Sequence, residues 1–275
     1  MLLGLRHNWK LFPAIIMLWW GTAFSLYAAT PQIIDAKPFD DGFVIASTDG
    51  MLYWTDIDGV HIDSVNLKTD IAGIEVTDGS VLAVTPDCMI LKVERSGKSS
   101  RLCRKQITNN ADKVVGIACS GKKTFILTAN GTILSTDDNC KSFTALDFNG
   151  TYFLYYDHTR FRAISASDNS IFIAGIHDDG TPAVYTSTAG NIWSERTLTY
   201  TESGQTLSLE HQPLSMAYDS RMDRFVLGCT DGYLFYLPGC SHCNSIEKKS
   251  DTDITAVAFN STVGSFPCVI FLRAN

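Results

Sequence analysis

Five times along the chain, a short run of β-branched and aromatic residues is followed by a tight turn and a second such run. The segments are GFVIASTDGMLYWTD (42–56), SVLAVTPDCMILKVE (80–94), KTFILTANGTILSTD (123–137), SIFIAGIHDDGTPAVYTST (170–188) and RFVLGCTDGYLFYLP (224–238). Asp-Gly and Asn-Gly supply the positive φ angles that tight hairpin connections require, so each segment reads as a β-hairpin. A further apolar run precedes each one (IIDAKPF, IAGIEV, VVGIACS, FRAISAS, LSMAY), and a sixth stands at ITAVAF. These runs begin near residues 33, 71, 114, 161, 214 and 254. A spacing of about 40–50 residues is that of propeller blades. A fourth run closes most units, at HIDSVNL, SRLCRKQ, SFTALDF and WSERTLT. Such a four-stranded meander buries both faces only if neighbours stack on it, which radial repetition achieves. The expectation is an all-β fold, a β-propeller of five to six four-stranded antiparallel blades whose last blade is incomplete. A β-sandwich would use the same strands and turns; the repeat spacing disfavours it.

The sixth unit, ITAVAFNSTVGSFPCVIFLRAN, holds two strands only, and the residues before Ile33 look too few to supply two more. Closure by a two-stranded blade, or a five-bladed ring with this segment at the seam, are the two options. Cys229 and Cys268, on the second strands of consecutive units, are placed to pin the seam.

Residues 1–29 are a separate element. Arg6 and Lys10 precede LFPAIIMLWWGTAFSLYAA (11–29), an uncharged apolar run that reads as an export signal. Cleavage after Ala28 or Ala29 is the preferred reading, although Leu26 and Tyr27 are large for such a site. If retained, the run is long enough to anchor the chain, since about 20 apolar residues span a bilayer. The organisation is thus 1–29 signal peptide or anchor and 30–275 a single propeller, secreted, periplasmic or at the cell surface. With 22 basic and 29 acidic residues the net charge is −7, which argues against nucleic acid or anionic lipid as a partner. Membrane contact is expected only if the segment stays.

All eight cysteines (Cys88, Cys103, Cys119, Cys140, Cys229, Cys240, Cys243, Cys268) follow this segment. In an exported chain an even set reads as disulfides, with roughly a hundred possible pairings. Local placement suggests Cys88 with Cys103 across a hairpin, Cys119 with Cys140 within one unit, and Cys229 with Cys268. Cys240 and Cys243 form a C-x-x-C, but no second such pair completes a zinc site, and no βαβ context lowers a thiol pKa. No metal and no cofactor is expected.

Two stretches approach the pattern S/T-x-D-x-G-x-x-W. TSTAGNIW (186–193) has Thr186, Gly190 and Trp193 in place, with Thr188 where Asp belongs. STDDNCKSF (135–143) opens with Ser135, Thr136 and Asp137, but Asn139 replaces Gly and Phe143 falls one residue late. On these residues the chain from residue 30 resembles the Asp-box propellers, the group of sialidases, sortilin-type receptors and photosystem-assembly-factor-like propellers. The resemblance implies a hairpin-bracing role for both stretches, the carboxylate taking backbone N–H bonds while the aromatic ring packs into the blade. It does not imply an activity, because one fold hosts unrelated functions. A sialidase would need an arginine cluster, a Tyr/Glu nucleophile pair and an acid; the start of the first blade reads PQIIDAKPFDDGF, without the arginine that family carries there.

Other constellations are thin. TDIDGVHID (55–63) has alternating acids but Trp54 at the first calcium-ligand position. Asp40/Asp41, Asp137/Asp138 and Asp178/Asp179 sit in turns, where adjacent acids are usually solvated. GTYFLYYDHTRF (150–161) gathers Tyr152, Tyr155, Tyr156, Asp157, His158 and Arg160, a composition favoured at binding hot spots. TYTESGQTLSLEHQP (199–213) is long for a connection and reads as a rim loop. Asn130, Asn149 and Asn260 begin N-glycosylation sequons. The sequence therefore favours an exported, non-catalytic module that binds a protein or glycan partner, with a carbohydrate-active enzyme and a membrane-anchored assembly factor as the alternatives.

Overall fold

Every hairpin forms where its turn residues require. The computed structural model describes residues 15–19, 22–23, 32–58, 60–104, 112–152, 158–238, 244–260 and 268–272. Blades 1 to 5 span residues 33–66, 73–104, 114–147, 159–195 and 213–248, each with four consecutive antiparallel strands. The first strands, Ile33–Phe39, Gly73–Thr77, Val114–Ser120, Thr159–Ala166 and Pro213–Asp219, lie next to one another around the axis. Ile254–Phe259 of the sixth sheet closes the circle between Pro213–Asp219 and Ile33–Phe39.

Burial falls from the axis outwards. The second strand of blade 1, Gly42–Ser47, is buried at every position, because both of its faces meet a neighbouring blade. The fourth strand of blade 2, Ser99–Arg104, is almost wholly exposed. Among the described residues the buried apolar side chains divide into six clusters, one at each junction between blades. Phe39, Leu52 and Trp54 of blade 1 meet Ile74 and Val81 of blade 2; Val84 and Ile90 of blade 2 meet Ile117 and Ile126 of blade 3. Phe125 of blade 3 meets Phe161 and Tyr185 of blade 4, and Phe172 stacks on Phe225 of blade 5 at 3.8 Å. Leu234 meets Ile254, and Ala256 meets Phe43 and Ile45 across the seam. A blade alone would leave two apolar faces in water, so the ring stabilises each member.

Side-chain hydrogen bonds bind the innermost strands to their neighbours. Asp35 Oδ2 accepts from the Ile74 N–H at 2.9 Å, and Ser215 Oγ donates to the Ile254 carbonyl at 3.1 Å. At the seam the Asn260 amide donates to the carbonyls of Gly42 (2.7 Å) and Asp40 (3.2 Å). The Asn149 amide acts similarly between blades 3 and 4, donating to the carbonyls of Asn130 and Thr159 and accepting from the Thr159 N–H.

The sixth sheet corrects the expectation that the N-terminal chain is too short to contribute. Its order is Thr22–Ala23, Ile15–Trp19, Cys268–Leu272, Ile254–Phe259, with Ile15 opposite Phe271 and Met17 opposite Val269. Two strands come from the C-terminal end, as expected, and two from residues 15–23. That stretch reads as signal when the units are counted from Ile33, yet a strand needs only about five residues and IIMLW provides them. The long connection after blade 4 is also more ordered than a loop: Thr199–Glu202 and Gln205–Ser208 pair as a hairpin.

No disulfide joins the described cysteines. Cys119 Sγ lies 3.4 Å from Thr124 Oγ1, and Cys103 of blade 2 has both Cys88 of its own blade and Cys140 of blade 3 as neighbours. Cys229 is buried beside the Leu227 carbonyl. The Cys268 side chain, Cys240 and Cys243 lie outside the described residues.

Candidate functional site at the channel mouth

Five of the six innermost strands carry a β-bulge at the same place in the repeat. The extra residues are Ile34, Val115, Arg162, Leu214 and Thr255. A bulge breaks the alternation of the pleat and re-aims one side chain. Here all five, together with Ala72 of blade 2, line one cavity of about 420 Å³ where the innermost strands begin. Gln32, Ala129, Arg160 and Phe161 complete its wall. The collar is therefore mostly apolar, with Gln32 and Thr255 its uncharged polar members, and its charge lies on the blade 4 side, where Arg160 and Arg162 are both exposed. Among the described residues no carboxylate pairs with either guanidinium. The Thr255 hydroxyl is buried and has no hydrogen-bond partner there.

This arrangement can hold a group that offers apolar surface to the collar and acceptor oxygens to the arginines. Among the described residues the cavity wall contains no acid and no histidine. On the same face His177 Nδ1 is 3.2 Å from Thr159 Oγ1 and His177 Nε2 is 3.5 Å from Glu195. His211 stacks on Tyr233 at 3.8 Å and lies 3.2 Å from Asp231.

Farther along the channel, Lys37 of blade 1 is buried 3.9 Å from Asp35 and 3.7 Å from Glu75 of blade 2. Burial pushes the Asp35 carboxyl up despite the nearby ammonium. Burial pulls the Lys37 ammonium down, but the charges of Asp35 and Glu75 outweigh it and leave the pKa raised. Glu75 reaches on to the Cys119 N–H of blade 3 at 3.4 Å. The three groups bind three blades together and have filled one another's valences.

Of the residues expected to form a binding surface, Arg160 lines the cavity, while His158 is exposed beside it and its carbonyl accepts from the Asp178 N–H. Tyr155, Tyr156 and Asp157 lie outside the described residues. Tyr152 instead serves the structure, its hydroxyl donating to the Asn191 carbonyl at 2.9 Å and accepting from the Trp193 N–H at 3.1 Å. Arg162, Leu214 and Thr255 escaped the sequence reading. The signal for them is a repeat-wide bulge, which no local motif announces.

The two Asp-box-like stretches lie at third-to-fourth-strand turns, and the first is in a different frame from the expected one. Asp138, not Asp137, braces the turn. Its Oδ1 accepts from the N–H groups of Lys141 and Ser142, each at 2.9 Å, and from Thr136 Oγ1 at 2.8 Å. Its Oδ2 accepts from Ser142 Oγ at 2.6 Å. These bonds, the Ser142 hydroxyl foremost, hold its carboxyl well below the usual range, whereas Asp137 is exposed. Counted from Thr136, Asp138 and Phe143 fall in register and Cys140 takes the glycine position, with φ 66°. Phe143 packs against the wedge between blades 2 and 3, while Ser135 is a strand residue opposite Thr144. In the second stretch Thr186 is a strand residue opposite Ser194. The Ser187 hydroxyl replaces the missing carboxylate, accepting from the Gly190 N–H at 2.8 Å. Gly190 has φ 80°, and a Cβ there would collide with the Phe125 ring. Trp193 is buried and its indole N–H reaches the Gly190 carbonyl at 3.3 Å.

No family model and no curated protein matches this sequence. Solved structures do match in fold. The WD40 domain of Neurospora crassa Pan2 aligns at a TM-score of 0.54 with 13% identity, covering 90% of this chain and 75% of that one. YCF48 from Cyanidioschyzon merolae aligns at 0.54 with 12% identity, covering 90% and 80%. The computationally designed Ika8 protein aligns at 0.52 with 13% identity, covering 94% and 91%. At such identities the likeness is one of architecture: the chain is a β-propeller.

Proposed function

We propose that this propeller is an exported scaffold that holds a protein partner over its channel mouth. The observation that carries the reading is the pair Arg160 and Arg162, exposed and without carboxylate partners among the described residues, on a mostly apolar collar. An arginine fork beside apolar surface suits a peptide segment that ends in, or carries, a carboxylate. Export rests on the apolar run of residues 11–29, and the protein-binding role is in keeping with the use of propeller rims as platforms. A photo-crosslinker at Leu214 tests it in the native host. One protein partner should be trapped, and the double substitution Arg160→Glu with Arg162→Glu should cut the yield at least tenfold. Crosslinks that ignore the arginines would remove the reading. Turnover of chromogenic glycosides by the purified protein would replace it with a carbohydrate-active enzyme, and glycan binding without turnover would replace the protein partner with a sugar.

A further inference from the structure

Four cysteines converge on one junction. Cys88 and Cys140 are buried in the wedge between blades 2 and 3, and Cys103 and Cys119 pack against it. Two of them hold backbone positions made for glycine. Cys88 ends the turn Thr85-Pro86-Asp87-Cys88 with φ 61°, where blade 1 has Gly50 with φ 83°. Cys140, with φ 66°, stands at the glycine place of its Asp-box-like turn. A side chain in the left-handed region is unfavourable, so the thiols gain nothing from those sites as turn formers.

Strand register decides which sulfurs meet. Cys103 lies opposite Ile90, just past the bulge at Leu102. Residues opposite one another share a face, so the Cys103 side chain points to the side on which Ile90 packs, the wedge that holds Cys140. Cys103 and Cys140 are neighbours in that wedge, each perturbing the other's thiol. The Cys119 sulfur lies 3.4 Å from Thr124 Oγ1.

We propose that Cys103 and Cys140 close a disulfide that staples the outer strand of blade 2 to the third-to-fourth-strand turn of blade 3. The oxidant is a disulfide of the glutathione or oxidoreductase class. One cysteine, as thiolate, attacks that disulfide, and the first leaving thiol departs. The second cysteine then displaces the other half from the mixed disulfide. Two protein thiols lose two protons and two electrons, one S–S bond forms, and the donor disulfide becomes two thiols. Burial pushes both thiols up, Cys140 to about 12. Half-exposed Cys103 is therefore the attacking group, and the reaction quickens as pH rises.

The test is peptide mapping of the folded full chain after incubation with oxidised glutathione, without a reducing step. A peptide pair linked through Cys103 and Cys140 is the expected product. Links between Cys88 and Cys103, or between Cys119 and Cys140, or a complete set of unlinked thiols, would overturn the proposal. In thermal melts, oxidation should raise Tm by roughly 10 °C, as expected for closing a loop of this length. Cys103→Ser and Cys140→Ser should each abolish that rise, whereas Cys88→Ser and Cys119→Ser should keep it. The channel-mouth crosslink does not depend on this bond, so either reading can fail without the other.

Discussion

Asn260 and Gly42 lie at opposite ends of the chain and are joined by a 2.7 Å hydrogen bond, the Asn260 amide donating to the Gly42 carbonyl. Asn260 is 2% exposed, and its second amide hydrogen reaches Asp40. It is a polar clasp on the seam that the cysteines were expected to hold. Asn260→Ala would strand two carbonyls next to buried apolar surface and should cost about 2–4 kcal/mol. Urea denaturation would measure it; a loss below about 0.5 kcal/mol would mean the clasp adds nothing to the net stability of a typical hydrogen bond.

The same geometry sorts the three glycosylation sequons. Asn149 and Asn260 are buried with their amides engaged, so a glycan on either nitrogen is incompatible with the fold. The Asn130 side chain is exposed. Expressed in a eukaryotic secretory pathway, the folded protein should carry one glycan, at Asn130. Asn130→Gln should remove the whole mass shift, and a glycan at Asn149 or Asn260 in folded material would contradict the burial.

Alkaline pH should destabilise the reduced protein. Burial, with the Glu75 charge second, pushes the Cys119 thiol up to about 11 from 9.0; burial, with Cys103 beside it, pushes Cys140 to about 12. Between pH 9 and these values the native state keeps protons that the unfolded chain releases, so stability falls as pH rises. Lys37 acts in the same direction: its raised pKa stabilises the fold below 10.5, and that contribution is lost as pH climbs through the folded value. Tm in the presence of a reductant should drop progressively from about pH 9 to about pH 12, less steeply for Cys119→Ser. A profile that stays flat to about pH 11 would refute the assignment.

The pairing of Ile15–Trp19 with Cys268–Leu272 makes the fate of the N-terminal segment measurable. A chain that starts at Thr30 leaves Cys268–Leu272 as an open edge, which invites pairing with another chain. Such a chain should melt several degrees below the full-length protein and self-associate in sedimentation. N-terminal sequencing of the protein isolated from its host then reports which of the two forms exists there. Equal Tm values for both chains would show that the N-terminal strands add nothing to closure.

At the second Asp-box-like turn, Gly190→Ala would combine a left-handed φ of 80° with a clash on the Phe125 ring. A loss of roughly 2–4 kcal/mol is expected. At the first such turn, Asp137→Ala should be nearly silent, whereas Asp138→Ala should lower the denaturation midpoint through the lost turn bonds. Chemical denaturation of the three variants ranks them, and equal midpoints for the two aspartate variants would contradict the frame in which Asp138 braces the turn.

Much of the blade was legible in advance because its causes are local. Turns such as Asp49-Gly50 and Asn130-Gly131 specify hairpins within a few residues, and the runs of Val, Ile and Phe around them specify strands. The frame of the Asp138 turn was not legible. Adjacent acids at 137 and 138 fit the motif almost equally well, and only the pairing of Thr136 with Thr124 decides which carboxylate faces the turn amides. The collar was hidden for a similar reason: Arg160 stood out as a charge among aromatics, whereas Leu214 and Thr255 have ordinary sequence surroundings and become neighbours only in the ring.

The sequence by itself determined the strands, their turns and the repeat, because steric preferences and β-hairpin hydrogen bonds act between residues close in the chain. The tertiary structure decided what the repeats make together: the closed ring, the seam at Asn260, the bulges that aim Arg162 and Thr255 inwards, and the meeting of Cys103 with Cys140. These depend on contacts between blades, where burial of two apolar faces sets the angle and register of each neighbour, and no stretch of chain shorter than a blade contains that information.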